Sequence, residues 1–180
     1  MQALANELVN IQPDLDATDS DKRSPLSWAA ENGHVEIARL LLATGRVNPD
    51  LPDRPDRTPL SRAAENGHDA VVKLLIENGS VDVNSQHAIS DFTPLSYAAR
   101  NGHEAVAKLL LTVGSVNPEY LDRSGRNSLS WAAEGGSQAT VKALLDFGSV
   151  VESQYIGIDD RTPLSYAAAN GHVGVVELLL

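Results

Sequence analysis

The strongest constraint in this chain is that it repeats itself. Five segments align without a gap: SPLSWAAENGHVEIARLLL from Ser24, TPLSRAAENGHDAVVKLLI from Thr58, TPLSYAARNGHEAVAKLLL from Thr93, NSLSWAAEGGSQATVKALL from Asn127 and TPLSYAAANGHVGVVELLL from Thr162. Their second residues fall at Pro25, Pro59, Pro94, Ser128 and Pro163, with spacings of 34, 35, 34 and 35. A run rewritten in register five times does not fold around one unique centre. Each copy takes nearly the same local structure and buries the same face on its neighbour, so the expected product is a stack.

Within a copy, the pattern predicts two short antiparallel helices. Ser24, Thr58, Thr93, Asn127 and Thr162 are N-cap residue types, and four of them precede a proline at the first helical position. A cap oxygen satisfies an orphan N–H, and proline has none to satisfy. Gly33, Gly67, Gly102, Gly136 and Gly171 are expected to end the first helix. The second helix carries apolar residues at helical spacing, such as Val71, Leu74 and Leu75, with Asp69–Lys73 and Glu104–Lys108 as pairs on its wet side. Gly45, Gly79, Gly114 and Gly148 are expected to end it in the same way. Helices this short are marginal alone. The paired alanines (29-30, 63-64, 98-99, 132-133, 167-168) let neighbouring units approach closely enough to stabilise one another.

The run T-P-L-S-x-A-A-x-N-G-H, followed by a Val/Leu-rich helix, resembles the ankyrin repeat, whose pattern is T-P-L-H-x-A-A-x-x-G-H. The family's hairpin aspartate is matched by Asp19, Asp53 and Asp122, while Ala88 and Gly157 depart from it. Its hairpin glycine is matched by Gly125 alone, with Lys22, Asp56, Asp91 and Asp160 in the other copies. Ser27, Ser61, Ser96, Ser130 and Ser165 stand where the family usually has histidine, and the extra residues of the longer period fall in the connecting hairpin, notably at 84–91 and 152–160. The resemblance implies an all-α repeat solenoid of stacked helix-turn-helix units with short projecting β-hairpins or loops. It divides the chain into a partial N-terminal repeat at 1–18, repeats at 19–52, 53–87, 88–121 and 122–156, and an incomplete repeat at 157–180. It also implies a non-catalytic scaffold that binds another protein through its hairpin tips and concave first-helix face. The alternative is a structural spacer or regulatory array within a larger multidomain protein, and the wording SPLSWAAENGH resembles arrays in large fungal proteins of that kind. Leu4, Leu8 and Val9 read as a second helix preceding an outgoing strand, and the chain stops at Leu178-Leu179-Leu180 inside a second helix. The expectation is a segment of a longer protein, with exposed terminal repeats as a route to self-association.

Four of the five histidines lie in Asn-Gly-His, at 34, 68, 103 and 172. A metal ligand, a general base and a proton switch are the chemical readings. Zinc needs ligands about 2 Å away that converge on a point, whereas equivalent residues of stacked helices are separated by ~8–10 Å. Ser137 replaces the histidine in the fourth copy, and a charged imidazole at a helix start opposes the helix dipole. The expected role is therefore a neutral ring that secures the turn by bonding nearby backbone. The serines after the second helices have no nucleophile elbow around them, and no phosphate-binding loop occurs. No enzyme, cofactor or metal is expected.

Function is sought instead where the copies differ. One row holds Trp28, Arg62, Tyr97, Trp131 and Tyr166. A second, just before the N-caps, holds Arg23, Arg57, Phe92, Arg126 and Arg161; a third, further out, holds Ser20, Arg54, Ile89, Arg123 and Ile158. A fourth, at the first-helix ends, holds Glu31, Glu65, Arg100, Glu134 and Ala169. Trp, Tyr and Arg are the types enriched in interface hot spots. The candidate partner-binding set is Trp28, Arg57, Arg62, Phe92, Tyr97, Arg100, Arg123, Arg126, Trp131, Arg161 and Tyr166. The competing reading has the aromatics filling grooves between first helices and the arginines pairing with hairpin aspartates. A net charge of −10, from 24 acidic and 14 basic residues, argues against nucleic acid as the partner. No apolar run is long enough to insert in a membrane. With no cysteine and no signal peptide, the expected location is intracellular, in the cytoplasm.

Overall fold

The computed structural model describes residues 13–149 and 161–180. The helix expected near Leu4 and Leu8 and the irregular segment at 152–160 lie outside them. The described residues form ten α-helices in five pairs: α1 (Pro25–Glu31) with α2 (Val35–Ala43), α3 (Pro59–Glu65) with α4 (Asp69–Asn78), α5 (Pro94–Arg100) with α6 (Glu104–Leu111), α7 (Ser128–Gly135) with α8 (Gln138–Phe147), and α9 (Pro163–Ala169) with α10 (Val173–Leu179). The first helices pack in sequence, α1 on α3, α3 on α5, α5 on α7 and α7 on α9, and the second helices form a parallel layer of α2, α4, α6, α8 and α10.

The capping pattern places each first helix. Ser24, Thr58, Thr93, Asn127 and Thr162 each accept the backbone N–H three residues on, from Ser27, Ser61, Ser96, Ser130 and Ser165. The serines at the family's usual histidine position are thus the N3 donors to the cap. The core between the layers is a ladder of equivalents. Leu26, Leu60, Leu95 and Leu129 are at most 1 % exposed, and Val71, Val106, Val141 and Val175 are fully buried. Burial of each leucine contributes about 1.5–3 kcal/mol. The alanines between successive first helices are buried too, from Ala29 to Ala133.

Three local expectations are corrected. Among the described residues the projecting elements are tight loops rather than β-hairpins. In the first, the Asp19 N–H donates to the Arg23 carbonyl at 3.2 Å and the Lys22 N–H to the Asp19 carbonyl at 3.0 Å. The same closure recurs from Asp53 to Arg57 and from Asp122 to Arg126, and each loop is too short to extend a ladder. Second, Gly114 is not a left-handed residue closing its helix; Thr112 caps that helix, its hydroxyl donating to the Leu109 carbonyl at 2.6 Å, whereas Gly45, Gly79 and Gly148 are left-handed as expected. Third, Lys73 sits 3.8 Å from Glu77 rather than pairing with Asp69, while Lys108–Glu104 is present at 2.5 Å.

The departures from the hairpin glycine leave the backbone unchanged. Lys22, Asp56 and Asp91 have φ of 58°, 77° and 57°, close to the 73° of Gly125. A side chain in the left-handed region costs about 1–2 kcal/mol, partly offset because glycine loses more entropy on folding. Lys22→Gly is therefore expected to stabilise the chain by about 0.5 kcal/mol, read as a raised midpoint in urea denaturation. A lowered midpoint would show that the Lys22 side chain contributes more than its strain costs.

Candidate functional site

The loops present one edge of the first-helix layer, and their aspartates organise it. Asp53 is fully buried. Its Oδ1 accepts the Arg57 N–H at 3.0 Å, and its Oδ2 takes Arg62 Nε at 2.7 Å and Nη2 at 2.5 Å. Asp122 repeats this with Trp131, whose Nε1–H donates to Oδ2 at 2.8 Å, and Asp19 does so with Trp28 at 3.1 Å. The loop aspartate thus fixes whichever polar side chain the first helix offers, Arg or Trp. Asp19 titrates below the usual carboxylate range, chiefly because the Arg23 N–H bonds its carboxylate.

The third loop lacks an aspartate at position 88, and His87 takes its place one residue earlier. The loop runs from 87 to 92, with the His87 N–H donating to the Phe92 carbonyl at 3.0 Å. The Ser90 N–H donates to His87 Nδ1 at 3.1 Å, the task a carboxylate oxygen performs elsewhere, and the Ser90 hydroxyl lies 2.7 Å from the same nitrogen. His87 is 6 % exposed and its Nε2 has no hydrogen-bond partner among the described residues.

Burial pushes the His87 imidazole below the usual histidine range. The nearby Arg57 charge adds to the shift, against Asp56, Asp53 and Glu65. A lowered folded-state pKa means that the unfolded chain takes up the proton first as pH falls. Stability from this group is present above about pH 6.5 and is lost as pH descends toward the folded value. Thermal melting between about pH 7.5 and 5.5 is expected to decline more steeply for the parent than for His87→Asn. Parallel declines would show that His87 does not carry the effect.

The rows converge as alternating cations and rings. Arg23 pairs with Glu31 at 3.6 Å, Arg57 with Glu65 at 2.5 Å and Arg126 with Glu134 at 2.8 Å. The Arg23 guanidinium stacks 3.7 Å over Trp28, Arg57 sits 5.4 Å from Tyr97, and Arg126 lies between Trp131 at 4.6 Å and Tyr166 at 4.3 Å. Arg161 reaches Tyr166 at 5.8 Å. In the third repeat the residue types are exchanged. Phe92 stands where the others have arginine, and Arg100 where three have glutamate; their contact is cation over ring, at 5.7 Å. Phe92 packs on Tyr97 at 5.1 Å and on Trp131 at 4.9 Å.

The candidate residues therefore divide. Phe92, Tyr97 and Tyr166 are buried, at 5, 4 and 1 % exposure, and work in the packing between first helices. Burial also pushes the Tyr97 phenol above its ordinary value. Arg57, Arg62 and Arg126 are half-buried and ion-paired, as the packing alternative expects. Arg100, Arg123 and Arg161 are exposed, Trp28 is 40 % exposed and Trp131 is half-buried. Arg123 binds the preceding loop through Asp91 at 3.2 Å and through the Ala88 carbonyl.

The Asn-Gly-His rings prove to be links between repeats rather than within a turn. His68, His103 and His172 Nε2–H donate to the carbonyls of Glu31, Glu65 and Glu134, at 2.9, 3.0 and 2.9 Å. Each ring lies on the preceding repeat's turn glycine: a Cβ on Gly33, Gly67 or Gly136 would come within 2.5–2.7 Å of an imidazole Nδ1. The partner carbonyl is 37 or 38 residues away, beyond what the motif itself can disclose. Among the described residues no group of three or more His, Cys, Asp or Glu side chains is placed to hold a metal ion.

These features define an array of helix pairs held together by repeated inter-unit contacts. A family model for ankyrin repeats matches three times, over residues 1–87, 47–118 and 95–180, so the chain belongs to the ankyrin-repeat family. Ankyrin repeats are typically non-catalytic modules of protein–protein interaction. A comparison with curated proteins gave no match. No helix among the described residues is long and apolar enough to cross a membrane.

Proposed function

We propose that the chain is a non-catalytic binding module that takes a partner protein on its loop tips and first-helix face. The observation that carries this is what the face leaves open to solvent: Trp28 at 40 % exposure, Ile89 at 63 %, and the exposed cations Arg100 and Arg123. Arg100 and Trp131 lie side by side there, guanidinium to ring at 5.1 Å, and that pairing suits a hot-spot cluster. A rigid helical scaffold limits the ordering cost of binding. The absence of cysteine suits a reducing compartment and an intracellular partner.

The second reading is a structural spacer, and the burial of Phe92, Tyr97 and Tyr166 favours it, because those rings serve packing. One comparison separates the two. An Ile89→Ala, Arg100→Ala double variant alters side chains that reach solvent and hold no hydrogen bond or ion pair among the described residues. Lys73→Ala, Lys108→Ala, Lys142→Ala alters the exposed second-helix side instead. A binding module loses affinity capture of its partners in the first variant and keeps it in the second, with both melting near the parent. Capture that survives the first variant supports the spacer.

A further inference from the structure

We infer that the groove between the third and fourth repeats anchors an extended polypeptide segment through an Asp or Glu carboxylate set close to an apolar side chain. This rests on the binding-module reading and names the partner's chemistry. The groove has a volume of 440 Å³ and is lined by Arg100, Arg126, Trp131, Glu134 and Gly135. Three departures from the repeat meet there.

The first is charge. At the first-helix ends, Glu31, Glu65 and Glu134 each pair with an arginine of their own loop. Arg100 occupies the same position with Phe92 in place of the loop arginine, and no carboxylate lies within ion-pair distance of it among the described residues. It is exposed, with its guanidinium 5.1 Å from the Trp131 ring. The flanking Arg57–Glu65 and Arg126–Glu134 pairs are each neutral, so among the described residues the groove carries one positive charge with no carboxylate paired to it. A single carboxylate matches that charge. A polyphosphate backbone would meet Glu65, Glu134 and a chain of net charge −10.

The second and third departures expose backbone. Other junctions cover the first-helix end with the next repeat's histidine, and Asn101 also donates to the Glu65 carbonyl at 2.7 Å. In the fourth copy the Asn is Gly135 and the His is Ser137. Ser137 turns to its own helix, its hydroxyl donating to Thr140 Oγ1 at 2.9 Å. A Cβ on Gly135 would lie 3.0 Å from the Arg100 carbonyl oxygen, so the bare glycine leaves that oxygen without a side chain over it. The groove thus offers a cation, an indole surface and a backbone acceptor side by side. These are receptors for a carboxylate, an apolar side chain and a backbone N–H of one extended segment.

The test selects random dodecapeptides by display on the whole chain, then measures individual labelled peptides by fluorescence polarisation. Selected peptides are expected to share an acidic residue within two positions of an apolar one. Changing that residue to its amide, or Arg100→Glu in the chain, is expected to weaken binding about tenfold. A lysine at the same peptide position should recover binding to the Arg100→Glu chain. Restoring the repeat's histidine with Ser137→His, whose ring would cover the Arg100 carbonyl as His103 covers that of Glu65, should also abolish binding, at an undiminished melting temperature. Peptides that bind without acidic preference, or that keep their affinity within twofold in Arg100→Glu, overturn the anchor. If those peptides are still lost in Trp28→Ala, Arg123→Ala, the face reading survives without it. Selection of no binding peptide overturns both.

Discussion

Gly67→Ala is expected to lower the unfolding free energy by about 3 kcal/mol, although it adds one methyl group. Two costs combine. Gly67 has φ of +74°, where a side chain costs about 1–2 kcal/mol. The new Cβ would also stand 2.7 Å from His103 Nδ1, so the ring must leave the glycine and give up its bond to the Glu65 carbonyl. Gly79→Ala is the matched control: its φ is +75° and nothing lies within 4 Å of the added carbon. It should cost only the conformational part, about 1 kcal/mol. Adding His103→Ala to Gly67→Ala should cost little more, because the contact is already lost, so the pair should be strongly non-additive. Urea denaturation of the parent, Gly67→Ala, Gly79→Ala, His103→Ala and the Gly67→Ala, His103→Ala chain measures this. Equal losses for Gly67→Ala and Gly79→Ala would show that the ring contact contributes nothing between repeats.

Asp53→Ala is the second large effect. Its carboxylate is fully buried, and its removal leaves Arg62, whose side chain is 12 % exposed, with Glu31 at 3.5 Å as its remaining acid. The Arg57 N–H loses its acceptor at the same time. Breaking a buried pair from one side costs about 3–5 kcal/mol. Asp19→Ala, at the exposed first loop, should cost much less, although it accepts the equivalent N–H from Arg23. Asp53→Ala with Arg62→Leu should recover part of the loss, since no unpaired charge then remains. A loss for Asp53→Ala no larger than that for Asp19→Ala, by thermal or urea melting, would contradict the buried-pair account.

The parts of this fold legible in sequence are those decided within one helical turn. The caps at Ser24, Thr58, Thr93, Asn127 and Thr162 depend on a side chain and an N–H three residues apart. The turn glycines depend on their own φ. What was not legible depends on the neighbouring repeat. The Asn-Gly-His ring bonds a carbonyl in the preceding unit, so the motif names the donor and hides the acceptor. Trp28 and Tyr97 occupy equivalent positions, yet one is 40 % exposed and the other 4 %, because Phe92 and Arg57 close over Tyr97. The glycine expected at positions 22, 56 and 91 is absent while its conformation persists, since loop closure by the carboxylate or by His87 determines the backbone. His87 itself was visible as an interruption of the repeat. Its role required the loop to be counted from 87 to 92 rather than from Ala88. Gly135 and Ser137 carried a usable signal, two departures in a single copy, whose meaning emerges only with Arg100 beside them.

The proposal that this array binds protein on its first-helix face and loop tips is tested most directly by amide chemical-shift mapping of the labelled chain with a bound partner or selected peptide. Perturbations are expected to concentrate in residues 19–31, 53–65, 87–100 and 122–135, strongest around Arg100, Trp131 and Gly135. Perturbations confined to the outer side of the second helices, around Lys73, Lys108 and Lys142, would contradict it.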